Sequence, residues 1–210
     1  MNMIKQQLRT GDVLDETILQ LYQDIPRTDF VPATFMPFAY SDMQIELGHH
    51  ERMMTPLEEA KLLQALNLSG HELVLEVGTG TGFLTALLSR RSKQVISVDY
   101  YSDFTQNASR HLEKHQCNNV TLVTGDAYGG WMDKAPYDVI IYTGAIEAIT
   151  ESHRLQLLPG GKLFVIMGSA PIMQGQLHEL DHDGTWHSQL IFETNLPALI
   201  NPAKSNDFVF

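Results

Sequence analysis

The chain has 210 residues, 43% hydrophobic and 19% charged, which fits one soluble domain, or one domain with an arm, large enough to bury a sizeable core. Its formal charge of −11, with no run of Lys and Arg to offset it, repels phosphate backbones and makes nucleic acid a poor partner. Cys117 is the only cysteine, no window approaches about 18 consecutive apolar residues, and MNMIKQQLRTGD lacks the apolar core of a signal peptide; a cytoplasmic protein with no disulfide and no membrane contact is expected.

The first third reads as helix and loop. Leu14, Ile18, Leu21, Tyr22 and Ile25 recur at helical spacing until Pro26 stops the pattern. The stretch that follows, with prolines at 26, 32 and 37, reads as an irregular arm over the domain, running through GHHERMM. Thr55-Pro56-Leu57-Glu58 then opens a helix: Thr55 caps it, Pro56 suits its first turn, and Glu58 completes a capping box. Leu57, Ala60, Leu63, Leu66 and Leu68 give that helix its apolar face.

From residue 72 the pattern alternates. Strand-like runs at 72–78, 94–99, 119–126, 137–144 and 161–168 are separated by helical stretches at 82–91, 103–116 and 151–158. The strands are nearly continuous in Val, Ile and Leu, as strands buried on both faces must be. The expected fold is therefore α/β: a doubly wound, Rossmann-like, mostly parallel sheet with helices on both faces. HELDHDGTWHSQLIFETNL adds antiparallel C-terminal strands as a hairpin turning at Asp183-Gly184, and Pro197 and Pro202 end the regular structure. A boundary near residue 70 divides a helical arm with an acceptor loop (1–70) from a cofactor-binding unit (71–210), the two packed as one compact body.

VLEVGTGTGF, residues 74–83, carries the main chemical signal. In an open parallel sheet a ligand settles beyond the strand C-termini where strand order switches, and glycines in the first strand–helix turn let backbone approach it. The dinucleotide fingerprint would need a glycine at 83, where Phe83 stands. What remains, Glu76-x-Gly78-x-Gly80-x-Gly82, resembles the first motif of class I S-adenosylmethionine-dependent methyltransferases. Asp99 ends the second strand 23 residues after Glu76, where an acid can accept both ribose hydroxyls. Gly125-Asp126 ends the third strand, and Pro159-Gly160-Gly161-Lys162 precedes the fifth. Taken singly, the turn reads as a plain loop and Asp99 as a solvated strand-end acid. Four such features in order, each at a strand end, point to the cofactor. The resemblance implies S-adenosylmethionine held by Glu76, Gly78, Thr79, Gly80, Gly82, Asp99, Tyr100, Asp126 and Ala127.

IPRTDFVP (25–32), FAYSD (38–42) and GHHERMMTP (48–56) narrow the likeness. Their order resembles the N-terminal arm of the protein-L-isoaspartate O-methyltransferases, with "P-R-x-x-F-V-P", "A-Y-x-D" and "G-x-x-Q-T-I-S-x-P". GDAYGGW, YDVIIYTGA and LLPGGKLFVIMG continue it over roughly four fifths of the chain. That resemblance implies methylation of the isoaspartyl carboxylate in damaged proteins, a repair activity. The departure lies at the acceptor site, where Arg52-Met53-Met54 stands for the family's Thr-Ile-Ser. A thioether donates nothing and accepts weakly, so the hydroxyl beside the transferring methyl is missing at Met54. Gly144-Ala145-Ile146-Glu147 is bulkier and more acidic than the family's small residues, and Asn195-Leu196-Pro197-Ala198-Leu199 only echoes its closing Val-Pro-Leu.

A sulfonium donor is already activated, so catalysis is positioning, and a carboxylate acceptor with a pKa near ~4 needs no general base. Arg52 can hold that carboxylate by a paired contact, or stand as a solvated arm residue. His49, His50 and Glu51 invite a metal reading, but adjacent residues rarely ligate one ion and no second cluster is present in the sequence, so no metal is expected. The two histidines become candidate bases only for an acceptor other than a carboxylate. The methionines at 36, 43, 53 and 54 read as arm packing or as the lining of an apolar acceptor pocket. Two rival readings stay open: a relative with a small-molecule acceptor, and a non-catalytic module that keeps the cofactor pocket. Oligomeric state is not legible.

Overall fold

A computed structural model describes residues 3–181 and 183–201; Pro202 lies outside them. In chain order the elements are α1 (Glu16–Asp24), β1 (Ile45–Gly48), β2 (Glu51–Met53), α2 (Pro56–Leu66), β3 (Leu73–Val77), α3 (Phe83–Ser89), β4 (Gln94–Asp99), α4 (Ser102–Lys114), β5 (Val120–Thr124), β6 (Tyr137–Ile146), α5 (Glu151–Leu155), β7 (Leu157–Ser169), β8 (Ile172–Leu180) and β9 (Trp186–Thr194). Seven strands form one sheet in the order β5-β4-β3-β6-β7-β8-β9. The first five in that order pair in parallel, while β7–β8 and β8–β9 are antiparallel. Strand order reverses between β3 and β6, with Val74 paired to Val95 on one side and Val139 on the other.

Alternation along each strand explains the two layers. Val74, Val95, Val139, Ile141 and Phe164 point into one apolar cluster; Leu75, Ile96, Ile140, Tyr142 and Leu163 point into the other. The first cluster takes in α1 to α4 and the arm, through Ile18, Leu63, Phe83, Ala108 and Phe30. The second is covered by α5, whose His153 stands edge-on to Tyr142, and by the loop carrying Tyr128 and Trp131.

Local chemistry sets the element ends. Thr55 and Glu58 form the capping box, Glu58 also accepting from Thr194 of β9, and Pro56 opens α2. Four expectations need correction. Asp15 caps α1, its carboxylate accepting from the Thr17 N–H, so Leu14 falls before the helix and is 65% exposed. The helix expected over 151–158 ends at Leu155, and β7 starts at Leu157, because Pro159 pushes the residue before it toward extended backbone. The C-terminal hairpin does turn at Asp183-Gly184, with the Asp181 carboxylate accepting from the Asp183 and Thr185 N–H groups, but β8 begins well before the expected stretch, at Ile172. Within the arm, β1 and β2 pair as a hairpin, Ile45 opposite Met53, around His49 and His50 at φ 52° and 63°.

Candidate active site

The end of β3 lies at the strand-order reversal, and three walls meet there around a cleft of about 880 Å³, open solvent at its mouth included. The glycine loop forms the first wall. Gly78 has φ 99°, and a Cβ on it would collide with Thr143 Oγ1, which donates to the Gly78 carbonyl at 2.7 Å. Asp99, at the tip of β4, orders this loop: its Oδ2 accepts from the Gly80 N–H at 2.8 Å and its Oδ1 from the Tyr101 N–H at 2.9 Å. Burial raises the Asp99 carboxyl despite those donors. Each oxygen keeps a lone pair for a ligand hydroxyl.

Glu76 is fully buried in β3. The hydroxyls of Thr85 and Ser97 donate to its Oε2 at 2.5 and 2.6 Å, and Thr79 Oγ1 lies 2.6 Å from Ser97 Oγ. Its other oxygen, Oε1, is buried with no hydrogen-bond partner. Burial, outweighing the two hydroxyl bonds, pushes this carboxyl up to about 7. A buried acceptor lining a cleft without a donor is what an arriving ammonium group would satisfy.

Tyr100, Asp126 and Ala127 extend this wall from the ends of β4 and β5. Tyr100 is half-exposed, Ala127 is buried, and the Asp126 carboxylate accepts from the Tyr128 N–H. Among the cofactor residues named from sequence only Gly82 does not line the cleft, and neither do His49, His50 or the exposed Met36 and Met43. Gly82 caps α3, where a Cβ would sit 3.0 Å from that of Ala108, so it serves the packing of α3 on α4.

The β1–β2 hairpin forms the second wall, and here the sequence reading missed most. Leu47 reaches over the glycine loop, to 3.2 Å from the point where a Cβ on Gly80 would stand. The His49 ring stacks on Tyr101 at 3.9 Å and meets the Asp103 carboxylate at 3.0 Å, which fastens the hairpin tip to the start of α4. Glu51 is half-buried and faces the cleft; burial and the nearby charge of Asp99 raise its carboxyl. Arg52 is exposed at the mouth, 4.0 Å from Glu46. Met53 and Met54 are buried, the Thr81 hydroxyl lies 3.8 Å from the Met53 sulfur, and the Met54 carbonyl accepts from Arg27 at 2.6 Å. Among the described residues no three His, Cys, Asp or Glu side chains gather as a metal would require.

The C-terminal segment forms the third wall. Ala145 donates to the Pro197 carbonyl and Leu199 to the Ala145 carbonyl, at 2.9 and 2.8 Å, which draws Pro197 and Leu199 across Gly144. Only a residue without a side chain leaves room there, since a Cβ on Gly144 would lie 2.8 Å from Leu199. Around the whole cleft Glu51, Glu76, Asp99 and Asp126 face a single lining Lys or Arg, Arg52, while Glu59 is paired with Arg27 behind the wall. Such a lining favours a cationic ligand.

Fold and cleft define a class I, doubly wound α/β protein with its ligand site at the first strand–helix turn. Comparison with known proteins carries this further. The family model described as protein-L-isoaspartate(D-aspartate) O-methyltransferase matches residues 1–190. A protein-L-isoaspartate O-methyltransferase of Koribacter versatilis is 35% identical over 167 residues, covering 80% of this chain and 75% of that one. One of Aliivibrio fischeri is 34% identical over 199 residues, 94% of both. A solved protein-L-isoaspartate O-methyltransferase superposes with a TM-score of 0.80 at 26% identity, over 92% of this chain and 64% of the other. A Plasmodium falciparum structure in complex with S-adenosyl-L-homocysteine superposes at 0.76 over 95% of this chain and 97% of the other, its 14% identity speaking for the fold alone. The chain belongs to the protein-L-isoaspartate O-methyltransferase family.

Proposed function

We propose that this protein transfers the methyl group of S-adenosylmethionine to the side-chain carboxylate of isoaspartyl residues in damaged proteins, a repair reaction of the cytoplasm. The observation that carries the reading is that the glycine loop and the Arg52–Met54 strip face each other across one cleft in a member of this family. The unit that begins near residue 71 supplies the cofactor wall, and the arm before it the acceptor wall.

The residues present fit the cofactor. Gly78 and Gly80, both at positive φ, would turn the loop backbone toward it, Asp99 would accept from its ribose hydroxyls, and Glu76 Oε1 would accept from its ammonium group. Tyr100, Asp126 and Ala127 would border its adenine end. The bound cofactor supplies a methyl group on a positive sulfur, already activated for displacement. The chain has then to position the acceptor in line and exclude water. The acceptor carboxylate is ionised at neutral pH, so no base is required of His49 or His50, and both are committed to the hairpin turn. Arg52, loosely tied to Glu46 at the mouth, is free to swing onto the acceptor carboxylate.

The test is transfer of labelled methyl to an isoaspartyl peptide beside its aspartyl control, with titration calorimetry of S-adenosylhomocysteine and NAD. Selective labelling of the isoaspartyl peptide is expected. Cofactor binding without labelling would remove the acceptor half of the reading, and a preference for NAD would remove all of it.

A further inference from the structure

The sequence motif PRTDFVP has so far no part in the reaction, yet its arginine occupies an unusual place. Arg27 is 0% exposed, the largest fully buried side chain among the described residues. One arm of its guanidinium donates to Glu59 Oε2, the other to the carbonyl of Met54, and the group lies over the Phe83 ring at 4.9 Å. We propose that Arg27 is a positioning residue for methyl transfer, a clamp that fixes the Met54 carbonyl and so the strip 52–54 that walls the acceptor end of the cleft.

Stability alone is a weak reason for the arrangement. A buried ion pair is often replaceable by apolar side chains of similar volume at no loss, because desolvation consumes the Coulomb gain. Geometry does account for it. The β2 ladder ends at Met53 and helix α2 starts at Pro56, so the Met54 carbonyl falls in the gap between two regular hydrogen-bond systems. A buried carbonyl there needs a donor. The planar fork of an arginine reaches the carbonyl and Glu59, on the first turns of α2, in one rigid group. Tyr22 adds a second anchor, its hydroxyl donating to the Pro56 carbonyl at 3.1 Å. Arg27 itself does not line the cleft, whereas Met53, Met54 and Glu59 do. It therefore acts through them. Misplacing a reacting group by about 1 Å can cost a hundredfold in rate.

This inference rests on the isoaspartyl reading for its rate arm, so the test carries a second arm that does not. In the double variant Arg27→Met/Glu59→Leu, which removes both charges together, cooperative unfolding is expected, and both S-adenosylmethionine and S-adenosylhomocysteine, each in its own arm, are supplied at saturation because Glu59 lines the cleft. Against that background kcat on the isoaspartyl peptide should fall at least ~10-fold, and hydrogen exchange over residues 52–55 of the S-adenosylhomocysteine complex should quicken. A merely structural arginine would move the melting temperature but leave kcat and that local exchange alone. Parent-like kcat and parent-like exchange in the folded double variant overturn the proposal. Should it fail to fold, Arg27→Lys decides, since it keeps the charge beside Glu59 and loses the fork; unchanged exchange at 52–55 then overturns the clamp. If the parent itself methylates no isoaspartyl peptide, the functional reading fails while the exchange arm still judges Arg27.

Discussion

Lowering the pH from 8 to 6 should weaken S-adenosylhomocysteine binding about tenfold through Glu76 alone. Its carboxyl titrates near 7 because it is buried with Oε1 unpartnered, and the charged form is the one an ammonium group wants. A proton and the ligand then compete for the same oxygen. With a pKa of about 7 the apparent dissociation constant scales as one plus the ratio of proton concentration to acid constant, roughly 1.1 at pH 8 and 11 at pH 6. Calorimetry in two buffers of different ionisation enthalpy should therefore find nearly one proton released per ligand bound at pH 6, and almost none at pH 8. The unliganded protein responds in the opposite sense. The folded state holds this proton more tightly than the unfolded chain, so stability from Glu76 falls as pH rises from about 4.5 to about 7, and the bound cofactor restores it. Glu76→Gln keeps an acceptor for Thr85 and Ser97 while abolishing the titration. It should flatten the pH dependence, weaken binding at pH 8, and raise the melting temperature of the unliganded protein there. Binding that is independent of pH and buffer in the parent would refute the assignment of Glu76 to the ammonium.

Gly80→Val should abolish cofactor binding while leaving a cooperative transition, because the residue has φ 53° and a branched side chain would press on Leu47, 3.2 Å from its Cβ position; calorimetry and a melting curve read both. Asp99→Ala should weaken S-adenosylhomocysteine binding by about 1–3 kcal/mol and also lower the melting temperature, since the Gly80 and Tyr101 N–H groups lose their acceptor along with the ribose. Met54→Ser should raise isoaspartyl methylation about ten- to a hundredfold if a hydroxyl made in the transition state is what the acceptor site lacks. Arg52→Ala should lower it, both read by labelled transfer.

The glycine-loop wall of the cleft was legible because strand ends carry their own punctuation. Five of the seven sheet strands came from apolar runs closed by Gly or Asp, and the cofactor residues named from sequence that line the cleft sit at or just past the ends of β3, β4 and β5. Gly82 is the one that does not line it. Nothing in a run of alternate glycines says which one faces a ligand and which one faces Ala108 of a neighbouring helix. Arg52, Met53 and Met54 were legible as an acceptor loop, but the hairpin that carries them was not, since its strands are four and three residues long, too short to show alternation, and its turn is built from His49-His50 rather than the Asn-Gly that usually signals two positive φ angles. Glu59 reads as one more solvated acid in a helix's first turns. Its burial depends on Arg27, thirty-two residues earlier, and such a pairing leaves no local trace.

Charge in the cleft bears on the order in which its ligands arrive. Glu51, Asp99 and Asp126 border the same space as Arg52, and an acceptor carboxylate entering the empty cleft meets their field with one guanidinium to offset it. At ~6 Å and an effective dielectric constant of ~20, each like-charged neighbour opposes it by about 3 kcal/mol, and a sulfonium at similar range returns about as much. Acceptor affinity should therefore track the charge of the donor already bound. An isoaspartyl peptide should bind at least ~10-fold more tightly beside an amine-bearing analogue that keeps the positive charge than beside S-adenosylhomocysteine, which has lost it. By linkage the peptide should tighten the charged analogue by the same factor. Fluorescence polarisation of a labelled peptide, titrated at low and high salt, measures both sides of the cycle. Raising the salt should shrink the difference. Equal peptide affinity with the two donors would mean that the acceptor carboxylate is held outside the reach of this acidic cleft, and the in-line arrangement drawn from Arg52 and Met54 would fall with it.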